Sequence, residues 1–126
     1  MRNPFDQILS YYNFLIENNH SSVEDKDFKK FINNYSEGFF NILKEILMID
    51  QKLVYNKYLK FENLDTELSN LFTTLKTDKD KYLNSYLGKG KIEKDYSIFD
   101  NESVEVILKN ANFIFDNFNY EKKLPK

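Results

Sequence analysis

The sequence predicts an all-α fold: four to five amphipathic helices in a bundle or irregular helical array, with a long central second helix. Three observations carry this. Apolar residues recur at helical spacing in successive stretches of the chain. Most of these stretches open on Asn, Ser or Asp followed by acidic residues, the composition of a helix start. Strand-like alternation is weak everywhere. The one candidate, KIEKDYSIF at 91–99, is a single segment, and one strand cannot make a sheet. With 126 residues and no internal repeat or Ser/Gly linker, the chain reads as a single helical domain over 1–126, its basic tail at 119–126 flexible. A chain of this length buries roughly two-thirds of the surface that its unfolded form exposes. Its 12 Phe and 9 Tyr supply much of that burial.

The first helix starts at Asn3, Pro4 and Asp6, a cap, a first-turn proline and an acid at the positive end of the helix dipole. Phe5, Ile8, Leu9, Tyr12, Leu15 and Ile16 follow at helical spacing, and the polar run NNHSS at 18–22 ends it. Ser22 with Glu24, Asp25 and Asp27 predicts the next start. One stripe then runs through Phe28, Phe31, Ile32, Tyr35, Phe39, Ile42, Leu43, Ile46, Ile49 and Leu53, and drifts on through Val54, Tyr58 and Phe61. The spacing is consistent with one helix over 26–61 or with two, bent near Gly38 or Asp50. A third stripe, Leu64, Leu68, Leu71, Phe72 and Leu75, follows caps at Asn63 and Asp65. It is interrupted by KTDKDK and resumes at Tyr82, Leu83, Tyr86 and Leu87, as one helix or as two hinged near Thr77. Asp100 and Glu102 start a last helix whose core face carries Val104, Ile107, Leu108, Ala111, Ile114, Phe115 and Phe118.

Composition bears on function mainly by exclusion. The net charge is −2, from 18 basic and 20 acidic residues, so the chain is neither a basic nucleic-acid binder overall nor an acidic mimic of DNA. It has no cysteine, hence no disulfide and no thiolate chemistry, and one histidine, which leaves little for a transition metal. No apolar run approaches the roughly 20 residues of a membrane span, and no secretory signal opens the chain, so a cytoplasmic protein is expected. Abundant Lys, Asn, Ile, Phe and Tyr, against a single Ala and a single Arg, indicate an AT-rich genome such as that of a low-GC bacterium or its phage.

Four stretches have the look of chemistry. LGKGK at 87–91 lacks the spacing and the Ser/Thr of a phosphate-binding loop and follows a helical stripe, so its glycines read as a helix terminator. DKDKYLNSYLGK at 78–89 begins like a calcium loop, but Leu83 stands where the turn glycine belongs and Lys89 where the bidentate Glu belongs. His20, Ser21, Ser22 and Asp25 have the residue types of a triad but crowd into one loop, which suits a cap better. Finally, Lys76, Lys79, Lys81, Lys89, Lys91 and Lys94 accompany Tyr82, Tyr86 and Tyr96, the mixture that grips single-stranded nucleic acid. Interspersed Asp and Glu residues make a solvated, mixed-charge surface the simpler reading. No catalytic residue, metal ligand or cofactor is assigned, and the chain is not expected to be an enzyme.

The most informative residues are apolar ones outside the helical stripes. Val106, Phe113 and Tyr120 lie at i, i+7 and i+14 of the last helix, nearly opposite its Ile107/Ala111/Ile114 face. Tyr11 and Phe14 lie off the Phe5/Leu9/Tyr12 face of the first helix. Met48, Tyr55 and Leu59 oppose the second stripe, as suits a helix sandwiched within the fold. Val106, Phe113, Tyr120, Tyr11 and Phe14 are therefore the expected partner contacts. The expectation is a small protein-binding module that occupies a surface of a larger protein, or of a second copy of itself. An inhibitor or accessory role would fit, of the anti-CRISPR, immunity or antitoxin type. A nucleic-acid-associated protein using the 76–96 segment is the alternative.

Overall fold

In the computed structural model, residues 1–55, 57–76 and 92–125 are described, and they are dominated by helix. In chain order they form α1 (Pro4–Glu17), α2 (Phe28–Leu47), a hairpin of β1 (Met48–Ile49) and β2 (Lys52–Leu53), α3 (Leu64–Thr74), α4 (Asn101–Asn110) and α5 (Asn112–Phe118). Short 3₁₀ turns at Ser21–Val23, Phe61–Asn63 and Tyr96–Ile98 punctuate the connections.

The helix starts follow local chemistry. The Asn3 side chain accepts the Phe5 amide at 3.0 Å ahead of Pro4 at the first helical position. Asp27 caps α2 by accepting the Lys30 amide at 3.0 Å, five residues beyond the start expected at Ser22; that serine falls instead in a 3₁₀ turn. Asp100 caps α4 through the Ser103 amide at 2.7 Å.

Of the two readings of the second stripe, the structure has the one broken near Asp50, and a second break corrects the expectation of one continuous last helix. α2 does not run on toward residue 61. It ends at Leu47, and the chain reverses through an antiparallel pair with Met48 opposite Leu53 and Ile49 opposite Lys52. Asp50 and Gln51, at φ 48° and 62°, form a two-residue turn with both residues left-handed, the geometry that matches strand twist in tight hairpins. The last helix is also two helices, broken at Ala111 (φ −100°, ψ 13°). Ala111 is fully buried, and its amide still bonds back to the Ile107 carbonyl at 2.9 Å, so the break is a bend within the core. The segment 91–99 contributes the Tyr96–Ile98 turn, with no strand among its described residues.

The core forms where α1, the first half of α2 and the α4–α5 pair meet. Phe5, Ile8, Leu9, Phe31, Ile32, Phe40, Ile107 and Ile114 are each essentially without exposure. Aromatic rings set much of its geometry: Phe5 meets Phe99 edge-on at 5.7 Å, Phe28 meets Phe99 edge-on at 4.8 Å, and Tyr12 meets Phe28 edge-on at 5.0 Å. The most extensive helix contact is α2 against α4. Across it, buried Ser36 accepts a hydrogen bond from Asn110 at 2.8 Å. None of the residues of α3 is fully buried. The tail packs back: Leu124 lies against the core and Lys122 pairs with Asp116 at 2.8 Å. Among the described residues, no helix is long and apolar enough to cross a membrane.

Candidate functional site

The second half of α2 carries two apolar arcs, and the fold covers one of them. Ser36 and Phe40 are fully buried, with Leu43 and Leu47 half-buried beside them. Tyr35, Phe39, Ile42 and Ile46 occupy a separate arc, spanning about 60° and centred roughly 100° away around the helix. Three of these four are exposed, Tyr35 at 42%, Ile42 at 61% and Ile46 at 57%, and Phe39 is half-buried. In the first half of the helix this same arc is covered, since Phe28, Phe31 and Ile32 lie in the core. The stripe thus runs out from under α1 and continues into solvent. Its spacing, Phe28, Ile32, Tyr35, Phe39, Ile42 and Ile46, alternates four and three, the spacing of one continuous apolar face of a helix.

α1 extends this face. Tyr11 stacks on Phe39 with ring centres 5.1 Å apart and lies 6.0 Å from Phe31, which in turn stacks on Tyr35 at 5.4 Å. Phe14, 57% exposed, is one turn further along α1 from Tyr11, the neighbouring surface position. Phe14, Tyr11, Tyr35, Phe39, Ile42 and Ile46 together make an apolar face. Along one flank lie exposed Asn34, Gly38, Asn41 and Glu45, a rim with a single charge.

The other sequence-derived candidates sit differently. Val106 and Phe113 are half-buried and pack against the core, and the bend at Ala111 removes the straight line that would have aligned them with Tyr120. Tyr120 lies beyond α5, after the left-handed Asn119. Its hydroxyl donates to the Met1 carbonyl at 2.9 Å and lies 3.0 Å from the Glu62 carboxylate, and Lys60 lies over its ring at 4.7 Å. Burial, then the Glu62 carboxylate, pushes its pKa well above the usual phenol value. Of the apolar residues off the second stripe, Met48 and Leu59 are half-buried and Tyr55 is exposed.

Among the lysines of the nucleic-acid alternative, Lys94 pairs with buried Asp6 at 2.8 Å, and the Tyr96 hydroxyl donates to the same carboxylate oxygen. Burial and this carboxylate raise the Tyr96 pKa far above its ordinary value. Lys79, Lys81, Lys89 and Lys91 lie outside the described residues, as do the 78–89 and 87–91 motifs and the resumption of the third stripe. His20 caps the 3₁₀ turn: its Nδ1 accepts the Ser22 amide at 3.2 Å and lies 2.8 Å from the Ser22 hydroxyl, while Asp25 pairs with Lys30 at 2.6 Å. Among the described residues, no group of three or more His, Asp or Glu converges as a metal site.

The fold and this face define a small helical domain with an uncovered apolar seam. No known protein family, curated protein or solved structure matches the chain, so its function is read from the face itself.

Proposed function

We propose that this chain is a protein-binding module that acts by occupying a surface of another protein, and that the α1–α2 apolar face is where it docks. The observation that supports this is the exposure of Ile42 and Ile46 beside the Tyr11–Phe39 stack, on a helix whose other apolar arc is already in the core. Isolated exposed hydrophobics are ordinary on protein surfaces, whereas a contiguous set with a nearly uncharged rim marks an interaction site. The aromatic anchors, with polar residues around them, have the composition of an interface centre. An inhibitory or accessory role fits a chain that works by surface occupation, since covering a partner's surface requires no reactive group. For the nucleic-acid alternative, two lysines of the set are described: Lys94 has its charge met by Asp6, and Lys76 is exposed.

The test places a photo-crosslinking amino acid at Ile42 and exposes the chain to extract from its native host. Capture of a defined protein that is lost in an Ile46→Asp background, with helix content unchanged, is expected. Capture that ignores Ile46→Asp, with a loss on mutating Phe113 instead, would move the docking site to α5.

A further inference from the structure

We infer that the occupant of this face is a second copy of the chain, with α2 of one copy packed antiparallel on α2 of the other. This rests on the protein-docking reading of the face and names its partner. The seam residues suggest the pairing. Tyr35, Phe39, Ile42 and Ile46 are symmetric about a point midway between Phe40 and Asn41. An antiparallel two-fold therefore sets Tyr35 against Ile46 of the second copy and Phe39 against its Ile42, large residue against smaller at each level. Such a contact is self-complementary, as a two-fold interface requires.

Charge selects the direction. Glu45 is the charged residue on the flank, and Asp50 follows it just beyond the helix. A parallel pair would gather both copies' Glu45 and Asp50 at one end. The antiparallel pair instead brings Glu45 level with Ser36 of the second copy and keeps the acids at opposite ends.

Gly38 is an independent sign of close approach. A glycine inside a helix weakens it relative to alanine, yet a Cβ added at Gly38 would meet nothing within 4 Å. The monomer thus has no steric use for the missing side chain. Gly38 borders the seam close to the symmetry point, where two helices crossing there would come nearest, and a bare backbone lets them do so.

The area is of the right size. Taking about 200 Å² for a fully exposed large side chain, the exposed fractions of Tyr11, Phe14, Tyr35, Ile42 and Ile46 leave about 500 Å² of apolar surface per copy. A stable interface takes about 800 Å² per partner, so the apolar face is more than half of one, and exposed Asn34, Gly38, Asn41 and Glu45 border it.

Sedimentation velocity on the full chain from about 1 to about 100 µM tests this. The wild type is expected to convert to dimer over that range. Ile42→Asp/Ile46→Asp should remain monomeric with unchanged circular dichroism, and the control Leu75→Asp, at an exposed site on the far end of α3, should dimerise as the wild type does. Gly38→Leu, which adds bulk where the monomer has open space, should weaken the dimer at least about tenfold without touching a monomer contact. Because the chain has no cysteine, orientation is read directly. Mixed Tyr35→Cys and Ile46→Cys chains should join as a heterodisulfide, and neither should crosslink to itself.

A wild type that is monomeric throughout, or a dimer indifferent to the Asp pair and to Gly38→Leu, overturns the proposal. Self-crosslinking of Ile46→Cys overturns the antiparallel arrangement. A monomeric wild type whose capture of a host protein still depends on Ile46 would overturn the dimer alone and leave the docking face standing. A dimer that passes every test while no host protein is captured would instead confine the face to self-association.

Discussion

Asp6 shows how a residue read as a dipole partner becomes a structural anchor. It sits in the first turn of α1, nearly buried, and receives the Lys94 ammonium at 2.8 Å and the Tyr96 hydroxyl. These contacts, across nearly ninety residues of sequence, hold the 92–98 segment against α1. Asp6→Ala should lower stability by about 1–3 kcal/mol in urea unfolding, because the Tyr96 hydroxyl loses its acceptor in a partly buried site. Tyr12, Tyr96 and Tyr120 all have their phenol pKa raised, burial being the first cause in each. A raised folded-state value means the native chain holds protons that the unfolded chain releases. That stabilisation is complete below about pH 10 and is lost as pH rises through the folded values. Thermal melts should therefore weaken above pH 10, and part of the phenolate absorbance should appear only as the chain unfolds.

α2 can be dissected on its two arcs. At concentrations where the chain is monomeric, Phe40→Ala, on the buried arc, should cost about 3–5 kcal/mol, whereas Ile42→Ala, on the exposed arc two residues away, should change stability by about 0.5 kcal/mol or less. Equal losses at both sites would show that the exposed arc is covered. The hairpin after α2 has a weak point: Gln51 holds φ 62° with a side chain that disfavours it. Gln51→Gly should stabilise the protein by about 1 kcal/mol, read as a raised urea midpoint. At the start of α4, the Ser103 amide bonded to Asp100 holds that carboxyl below its ordinary value. A depressed value gives stability that is present above about pH 4 and lost as pH falls through the folded value. Asp100→Ala should therefore lower the urea midpoint at neutral pH and do so progressively less in acid.

At the scale of the whole molecule, the free face should make stability depend on concentration. If α2 pairs with a second copy, the melting temperature of the wild type rises with protein concentration, while that of Ile42→Asp/Ile46→Asp does not. Scattering from that variant should give a radius of gyration near 14 Å, the value for one compact domain of this length, with the wild type larger at high concentration. Equal melting temperatures at all concentrations, with both chains near 14 Å, would mean that the seam has no second copy on it.

The sequence by itself determined what is local. Asn3 with Pro4 set the start of α1, Asp100 set the start of α4, and the angular position of Tyr11 and Phe14 placed them off the core face. These depend on a few neighbouring side chains and on a fixed rotation per residue. A bend near Asp50 was legible, but the hairpin that makes it was not, because its Asp-Gln turn lacks the glycine that announces such turns and apolar residues continue through Ile49 and Leu53. The bend at Ala111 left no mark either, since the residues on both sides keep helical spacing. Above all, only the tertiary structure decided which length of the α2 stripe is core. Periodicity reports that a face is apolar. Whether another element lies over it depends on where α1 crosses and where α4 packs, and α1 leaves the stripe at the Tyr11–Phe39 stack, with Ile42 and Ile46 still to come.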